Sequence, residues 1–584
     1  MDEMNYGNNK CFMSALTRLR ESSKDAVVSA DFSDAYTMYM HVNRPVQDEF
    51  VSIIEKTYNS NNAELILLCG SVGDGKSHLL SYCKAKYPEM MSKFYIHNDS
   101  TASLYIDKPA SFTLVEVMKD FTDERLAYSS QKVILAINLG TLNNFLEQDK
   151  DSRFLKLKEY VDKAGILDQR ECKDNEDECF HCVNFADYHL YELTSEGAKS
   201  EYVSGIIAKI TQNNPDNIFY KEYCSCCKNC DAYKRCPVRV NYELLSDVKV
   251  QSGVISSLIE AIVKNKLIVS TRSLFNFIYE ILVDERHFDR GSLEPRKEPD
   301  KMNSIEYCNS LLPNTLFGRS GASEILEAMS TVDPMRIRNE AIDDFFVFYE
   351  NSVNIVDIFL EDLDEYESLI ERLKKTKFSE IANHSIKEAI LKLFVRLCWL
   401  TNKRQDLLAD DQDYIEFMAA LYFWNKGEFK SLKNIYNIVE QGTLAWNGPV
   451  AKNEMQIPIG NKKTDYHLIQ EIQIKPTFDK LPVVNKNVLF SFQDELKLKY
   501  RYNDDVAEIE IDFALYSLLK KVVGGYIPSA NDKRVNVKCV EFVKKISNGG
   551  KKGDFLIIRN LTQRDVIEYR LEYDEAFGYS FEVK

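Results

Sequence analysis

A glycine-rich segment in the first fifth of the chain has the residue types that bind a triphosphate. It consists of eight consecutive residues: Gly70, Ser71, Val72, Gly73, Asp74, Gly75, Lys76 and Ser77. In the pattern G-x-x-x-x-G-K-[ST], backbone N–H groups surround phosphate oxygens, the lysine reaches the β- and γ-phosphates, and the hydroxyl binds Mg²⁺. We therefore predict that Lys76 contacts the phosphates during catalysis, that Ser77 ligates Mg²⁺, and that His78 ends the nucleotide-binding segment.

The residues on either side of this segment predict the elements that must hold it. Residues 65–69 form a short apolar run, as expected of a buried parallel strand, and residues 78–83 begin a predicted helix. In a strand–loop–helix arrangement, the start of the helix directs its partial positive charge at the bound phosphates. The sequence therefore predicts that the chain binds ATP together with Mg²⁺.

Hydrolysis would need a further carboxylate for Mg²⁺ and a polar group that orients water. The apolar strand predicted at residues 133–137 ends in Asn138. Its amide carries no charge, so we predict that Asn138 contacts the γ-phosphate region rather than the metal, as an asparagine at a strand end does in many ring ATPases. Asp99 and Glu116 are the nearest upstream acidic candidates, and neither follows a clear apolar run. Nucleotide binding is therefore predicted, while hydrolysis stays open.

Arg272 lies at the start of another predicted helix. Ser270 is a suitable N-cap residue, and the apolar residues that follow have helical spacing. An arginine on the first turn of a lid helix can reach back to the triphosphate, which resembles the second sensor of AAA+ ATPases. The alternative is that Arg272 is only a surface cation.

A cysteine-rich segment is the second strong pattern. Its spacing is C-x2-C-x2-C-x5-C-P, and its predicted metal ligands are Cys224, Cys227, Cys230 and Cys236. A reducing compartment disfavours disulfides, so dense cysteines favour a metal: Zn²⁺ first, with an iron–sulfur cluster as the rival. A second zinc arrangement joins Cys179 and Cys182 to Cys227 and Cys230, and metal-free surface thiols are the remaining alternative. Isolated cysteines such as Cys11 are predicted core positions.

The composition limits the classes of function. The 584 residues carry 74 Lys and Arg against 90 Asp and Glu, a net charge of −16, so long-range attraction to DNA would need a local basic surface or a partner subunit. The acidic, polar start does not resemble a secretory signal, and no apolar run approaches the roughly 20 residues of a membrane span. We expect a cytoplasmic protein without a membrane partner.

Three acidic residues at alternate positions also bear on function: Glu508, Glu510 and Asp512. They would share one face of a strand, but no lysine follows at the spacing that nucleases use. A solvated sheet face explains them better, so the chain is not expected to cut DNA alone.

The order of apolar strands and helices predicts an α/β fold with a parallel sheet. We expect an AAA+-like P-loop core with a helical lid, a Cys-rich insertion, a helical middle region and a smaller α+β or β-rich C-terminal domain. The predicted regions are a helical lead-in (1–60), the nucleotide-binding core (61–164), a metal-binding insertion (165–240), the rest of the core with the lid (241–345), a helical domain (346–445) and the β-rich domain (446–584).

Four segments resemble the DptF family of the bacterial DNA phosphorothioation-dependent (Dnd-type) restriction system. They span roughly residues 1–345 and read, in order, LILLCGSVGDGKSHLLSY, KVILAINLGTLNNFLE, CCKNCDAYKRCPVRVNYELL and VSTRSLFNFIYEILVDE. The resemblance implies an ATP-binding subunit that acts with DptG-like and DptH-like subunits on double-stranded DNA lacking the sulfur modification. It implies that Gly75, Lys76 and Ser77 bind nucleotide and Mg²⁺, with Asn138 near the γ-phosphate. No acidic Walker B residue matches, so the alternative is an ATP-gated switch with little turnover, the nuclease residing in a partner.

Overall fold

The chain folds into two compact units in the computed structural model. Unit 1 comprises Met1–Glu192 and Ala198–Asp410, and unit 2 comprises Leu193–Gly197 and Asp411–Lys584. The structure describes residues 11–25, 35–71, 73–98, 110–149, 151–167, 177–228, 230–287, 302–370, 384–457, 466–478, 486–502, 504–548, 555–560 and 568–583.

Unit 1 contains a four-stranded parallel sheet with the strand order β2-β3-β1-β4. Its strands are β1 (Glu64–Cys69), β2 (Tyr95–His97), β3 (Lys132–Ile137) and β4 (Phe180–Asn184). Every residue of β1 and β3 is buried, because these strands lie inside the sheet with both faces covered. The predicted parallel sheet is therefore confirmed.

Helices cover both faces of this sheet. They are α3 (Pro45–Thr57), α4 (Lys76–Lys86), α5 (Pro88–Met91), α6 (Ala110–Met118), α7 (Leu139–Glu147) and α8 (Leu155–Ala164). The two helices before them, α1 (Met13–Asp25) and α2 (Ala35–Met40), pack elsewhere in unit 1. Alternate residues of β1 point to opposite faces: Ile66 packs with α3 and α4, whereas Leu67 packs with α6, α7 and α8. This unit is thus mixed α/β.

The chain continues through β5 (Tyr188–Thr194) and β6 (Gly197–Lys199) into a helical region of unit 1. Its helices are α9 (Glu201–Thr211), α10 (Ile218–Cys226), α11 (Pro237–Ser246), α12 (Val248–Asn265), α13 (Thr271–Leu282), α14 (Ser304–Asn309), α15 (Leu312–Gly318), α16 (Glu324–Thr331), α17 (Glu340–Asn351), α18 (Ile355–Leu363), α19 (Glu367–Ile370) and α20 (His384–Leu400). Helix α1 packs into the same apolar core. Region 165–240, predicted as a metal-binding insertion, contributes β4 to the sheet and α9 and α10 to this core.

Unit 2 combines two antiparallel sheets with helices. Its strands are β7 (Glu454–Ile457), β8 (Tyr466–Glu471), β9 (Ile474–Thr477), β10 (Leu489–Ser491), β11 (Leu496–Tyr502), β12 (Asp505–Ile511), β13 (Phe555–Asn560), β14 (Glu568–Asp574) and β15 (Gly578–Val583). Its helices are α21 (Gln412–Lys426), α22 (Lys433–Leu444), α23 (Phe513–Val523), α24 (Ala530–Val535) and α25 (Val537–Asn548). The sheets have the orders β12-β11-β9 and β15-β14-β13-β8-β7.

The acidic residues of β12 are engaged within unit 2. Glu508 lies 3.2 Å from the Nζ of Lys499 on the neighbouring strand, and Glu510 pairs with Lys538. Asp512 caps α23 by accepting a hydrogen bond from the backbone N–H of Leu515. Across the described ranges of both units, no helix has the length and apolar composition that a membrane crossing requires.

Candidate functional site

Polar residues meet where the central strands end. In the parallel register Cys69 pairs with both Ile137 and Asn184, so β1, β3 and β4 stop at the same edge of the sheet. Gly70 follows β1 and Asn138 follows β3 at this edge. Ligands of open parallel sheets bind beyond the carboxyl ends of the strands, which makes this edge the candidate site.

The glycine-rich loop, residues 70–77, turns sharply between β1 and α4. Gly73 and Gly75 have φ angles of 92° and 98°, a region that side chains with a Cβ rarely adopt. Gly75 is the N-cap of α4 and has no side chain that could accept a hydrogen bond from the first turn of this helix. The start of α4 therefore offers backbone donors and a partial positive charge to an anion. Val72 lies outside the described residues.

Lys76 folds back onto this loop. Its Nζ donates hydrogen bonds to the backbone oxygens of Gly70 at 2.8 Å and of Ser71 at 2.6 Å. Burial lowers the pKa of the Lys76 ammonium, and the nearby Asp74 carboxylate partly offsets this effect. Burial raises the pKa of Asp74, whose carboxylate accepts the Ser71 N–H. Lys76 is thus held beside the loop by neutral carbonyls, which a phosphate oxygen can replace as acceptors.

The start of α13 lies against the glycine-rich loop. A Cβ placed on Gly73 would lie 3.3 Å from the Cβ of Ser270, the N-cap residue of α13. Arg272, on the first turn, has a buried Nε without a hydrogen-bond partner among the described residues. A buried guanidinium nitrogen without an acceptor is unfavourable unless a ligand supplies one. The structure therefore places Arg272 near the loop with an unused donor.

Arg44 connects the loop to neighbouring elements, although no sequence pattern identified it as a functional residue. Its guanidinium donates to the backbone oxygens of Asp74 at 3.1 Å and Tyr188 at 3.3 Å, and its Cζ lies 5.0 Å from the ring centroid of Tyr202. The Tyr202 hydroxyl lies 3.0 Å from the Thr271 Oγ1 of α13. Arg44 precedes a proline, which predicted only a break before α3. Its contacts come from distant parts of the chain.

Asn138 is the N-cap of α7. Its Oδ1 accepts a hydrogen bond of 2.7 Å from the backbone N–H of Thr141. This bond fixes the side chain beside the end of β3. The Nδ2 of Asn138 has no hydrogen-bond partner among the described residues. The amide N–H₂ can then donate to a phosphate oxygen or a water at the sheet edge.

Of the two acidic candidates from the sequence, Glu116 is described by the structure, and it lies on helix α6 rather than at a strand end. Glu116 is exposed on α6 and pairs with Lys119 at 2.8 Å, as expected of a surface ion pair. Asp99 lies outside the described residues. Sequence reasoning missed Asp187, which follows β4 and accepts a hydrogen bond of 3.0 Å from the Asn184 side chain. Asp74, within the glycine-rich loop, and Asp187, just after β4, are therefore two carboxylates at this end of the sheet.

His78, the last residue of the predicted nucleotide-binding segment, belongs to a stack of rings. Its Nε2 lies 3.0 Å from the Nδ1 of His41, and the His41 ring stacks on Tyr82 with centroids 3.6 Å apart. Burial, and then the charge of His41, lower the pKa of His78 from 6.5 to about 4. Burial likewise lowers the pKa of His41. Both imidazoles are therefore neutral at pH 7, and one donates to the other.

Acidification is expected to destabilise unit 1 through this stack. Between pH 6.5 and 4 the unfolded chain binds more protons at His78 than the folded chain does, so stability is full above this window and falls as the pH drops through it. The loss is at most about 3 kcal/mol from His78. Thermal melting of the nucleotide-free protein from pH 7.5 to 4.5 measures it. The variant His78→Gln should melt with a weaker pH dependence, and equal slopes in both proteins would refute this origin.

The two C-x2-C pairs of the alternative zinc site lie in different cores. Cys182 is buried in β4 with its Sγ 3.9 Å from that of Cys69, and Cys179 packs against the same apolar cluster. Cys227 is buried in the helical core instead. The structure thus corrects this arrangement, because strand alternation turns Cys182 into the sheet core. Within the described ranges, no three His, Cys, Asp or Glu side chains are arranged to hold a single metal ion.

The glycine-rich loop therefore lies between several donors. The uncapped start of α4, the Lys76 ammonium, the Asn138 amide and the first turn of α13 with Arg272 come from separate elements of unit 1. Together they suit an anionic ligand that accepts several hydrogen bonds. No protein-family model matches the chain, and no curated protein is similar to it in sequence.

Proposed function

We propose that the chain binds Mg²⁺–ATP at the glycine-rich loop as an AAA+-like P-loop ATPase subunit. The observation that supports this most directly is the position of α13: its first turn lies against the loop, and the buried Nε of Arg272 lacks an acceptor among the described residues. A triphosphate in the loop supplies that acceptor. The N-cap contact with Gly73 explains why the loop needs glycine there.

The charged groups of the glycine-rich loop indicate how the triphosphate of ATP would be bound. Phosphate oxygens replace the backbone carbonyls that Lys76 now contacts, and the ammonium then neutralises part of the triphosphate charge. The half-buried Ser77 hydroxyl on the first turn of α4 is placed to ligate Mg²⁺. ATP would supply the leaving group and Mg²⁺ the charge neutralisation, while Asn138 orients a water or the γ-phosphate.

We further propose that this ATPase belongs to a cytoplasmic, multi-protein bacterial restriction and anti-phage complex. The resemblance to the DptF family supports this role, with DptG-like and DptH-like subunits as partners and unmodified double-stranded DNA as the target. The net charge of −16 favours DNA contact through the complex rather than through this chain alone. The ion pairs of Glu508 and Glu510 support placing nuclease activity in a partner.

A nucleotide-gated switch with little turnover is the second candidate. The observation that favours it is the engagement of Glu116 with Lys119, since a hydrolysing site needs an acid near Mg²⁺. In that case ATP would order α13 against the loop and control assembly, without rapid release of phosphate.

Calorimetry of the full chain with Mg²⁺–ATP tests the binding proposal. We expect heat of association at one site per chain, and its absence in a folded protein would refute both candidates. Phosphate release with and without double-stranded DNA and partner subunits then separates them. Stimulated turnover supports the ATPase, and tight retention of unhydrolysed ATP supports the switch.

A further inference from the structure

Strand β15 forms an open edge of the five-stranded sheet in unit 2. It is the last strand in the order β15-β14-β13-β8-β7, so among the described strands it is hydrogen-bonded to β14 alone. The pairing with β14 is regular, from Gly578 opposite Asp574 to Val583 opposite Tyr569, without a bulge. The outer side of β15 therefore offers a row of backbone N–H and C=O groups to an added strand.

The other edge strands of the two sheets in unit 2 have features that discourage strand addition. Strand β9 exposes Lys475 and Pro476, and proline has no N–H to donate. Strand β12 carries two glutamates at alternate positions and packs against α25. Strand β7 has four residues, and the Gln456 backbone oxygen accepts a hydrogen bond of 3.0 Å from the Asn447 side chain. Strand β15 is longer and contains neither proline nor lysine.

Apolar side chains follow one face of this open edge. Tyr579, Phe581 and Val583 occupy alternate positions of β15, and each is 65–71% exposed. Beside them, Tyr573 of β14 lies opposite Tyr579, with ring centroids 4.9 Å apart. An exposed apolar face next to unpaired backbone groups indicates a surface that a partner covers.

The charges around β15 restrict the kind of partner. Glu582 is the charged residue of the strand, and it lies opposite Arg570 of β14, so these two charges offset each other. Asp574 and Glu575 are exposed at the turn between β14 and β15. Nucleic acids bind aromatic surfaces that are surrounded by positive charge, which this edge lacks. An extended polypeptide with apolar side chains on one face fits the edge better.

The sequence of β15 is complementary to itself. In an antiparallel pair of two β15 strands with Phe581 on the two-fold axis, Tyr579 lies opposite Val583 and Ser580 lies opposite Glu582 of the second copy. Glu582 then meets no like charge, and the apolar side chains of both copies share one face. Both copies use the same surface, as in the two-fold interfaces that are most common among homo-oligomers.

We infer that β15 pairs with β15 of a second copy of this chain and joins two five-stranded sheets into one continuous sheet. The main-chain hydrogen bonds supply affinity, and the alternating side chains fix the register. One pair of strands is a small interface, so we expect a dissociation constant of about 1–10 µM. This surface belongs to unit 2 and does not depend on nucleotide binding.

Sedimentation equilibrium of the nucleotide-free full chain tests the pairing. Between about 0.5 and about 100 µM, we expect the mass to rise from that of one chain to that of two. Hydrogen exchange over the same range should show increasing protection of residues 578–583. A chain that stays monomeric throughout would refute the inference, and so would a dimer without added protection in β15. A chain that is monomeric alone but binds a different subunit through β15 would exclude the second copy as the occupant.

Lysine substitutions test the position of the two-fold axis. Phe581→Lys would place two ammonium groups opposite each other, so we expect it to weaken the dimer at least about 10-fold. Phe577→Lys is the matched control, because Phe577 is 90% exposed in the turn before β15 and lies outside the paired residues. Melting curves check that both variants fold. A dimer that survives Phe581→Lys contradicts the inference, and equal weakening by both variants would indicate non-specific apolar association instead of strand pairing.

A cross-link tests the register without weakening the interface by charge. Directly opposite residues of an antiparallel pair have Cβ atoms about 4.5–5.5 Å apart, close to the separation that a disulfide needs. Phe581→Cys should therefore form a covalent dimer on mild oxidation, whereas the unsubstituted chain and Phe577→Cys should form much less. Equal amounts of covalent dimer in all three proteins would refute the register.

Discussion

Lys76→Ala is expected to weaken Mg²⁺–ATP binding by about 100-fold or more and to abolish turnover. Charged hydrogen bonds contribute about 1.5–3 kcal/mol each, and a tenfold change in affinity corresponds to about 1.4 kcal/mol. Among the described residues, the Lys76 ammonium donates hydrogen bonds to two backbone oxygens, of Gly70 and Ser71. Truncation should therefore cost little stability while it removes the cation for the β- and γ-phosphates. Calorimetry and phosphate release measure both effects.

Lys84→Ala is the matched control for this change. Lys84 lies on the same helix, α4, with its side chain exposed, so the substitution removes the same charge from the same element. We expect its ATP affinity and melting temperature to match those of the unsubstituted chain. Equal affinity in Lys76→Ala and Lys84→Ala would show that the glycine-rich loop does not bind the triphosphate.

Local sequence patterns predicted those strands and helix ends whose formation depends on residues adjacent in the sequence. The apolar runs that became β1 and β3 were recognisable because interior parallel strands are buried on both faces, which requires continuous apolar residues. Ser270 was recognisable as the start of α13 because its hydroxyl accepts the N–H of Ser273 within the same turn. Both features need only a few consecutive residues, so the strands and the cap followed from the sequence.

Long-range packing decided what the sequence did not predict. Cys179 and Cys182 have the spacing of metal ligands, but Cys182 shares one face of β4 with Phe180 and is buried in the sheet core. Cys11, which the sequence predicted as a core position, is exposed, because the burial before α1 falls on the next residue, Phe12, which packs on Tyr223 more than 200 residues away. The spacing of cysteines in a sequence predicts a set of metal ligands only when all of the ligands lie on one local turn.

The contact between α13 and the glycine-rich loop would couple the proposed nucleotide binding to the helical region. Arg44 donates to the Asp74 backbone and packs on Tyr202, and Tyr202 contacts Thr271 at the start of α13. A phosphate bound in the loop would also supply the acceptor that the Arg272 Nε lacks among the described residues. Two elements of unit 1 then respond to one ligand, which is what a motor or a switch needs.

Arg272→Ala is expected to lower the rate of ATP turnover by about 100-fold to 1,000-fold, with a smaller change in ATP affinity. The effect is larger on turnover because a donor aimed at the γ-phosphate strengthens as negative charge develops there. Arg272→Lys keeps the charge but loses the guanidinium fork, so we expect only partial recovery. Arg125→Ala removes an arginine whose side chain is 61% exposed and serves as the control for charge alone. Steady-state phosphate release separates these variants.

Stability measurements on the same variants distinguish a nucleotide contact from a structural one. The buried Nε of Arg272 has no partner among the described residues, and an unsatisfied buried donor costs about 1–3 kcal/mol. Removing it should leave the melting temperature of the nucleotide-free protein unchanged or raise it, while the increase in melting temperature caused by Mg²⁺–ATP becomes smaller. A large loss of stability without nucleotide would instead assign Arg272 a structural role. Unchanged turnover together with unchanged stability would make it the surface cation that its sequence context also allowed.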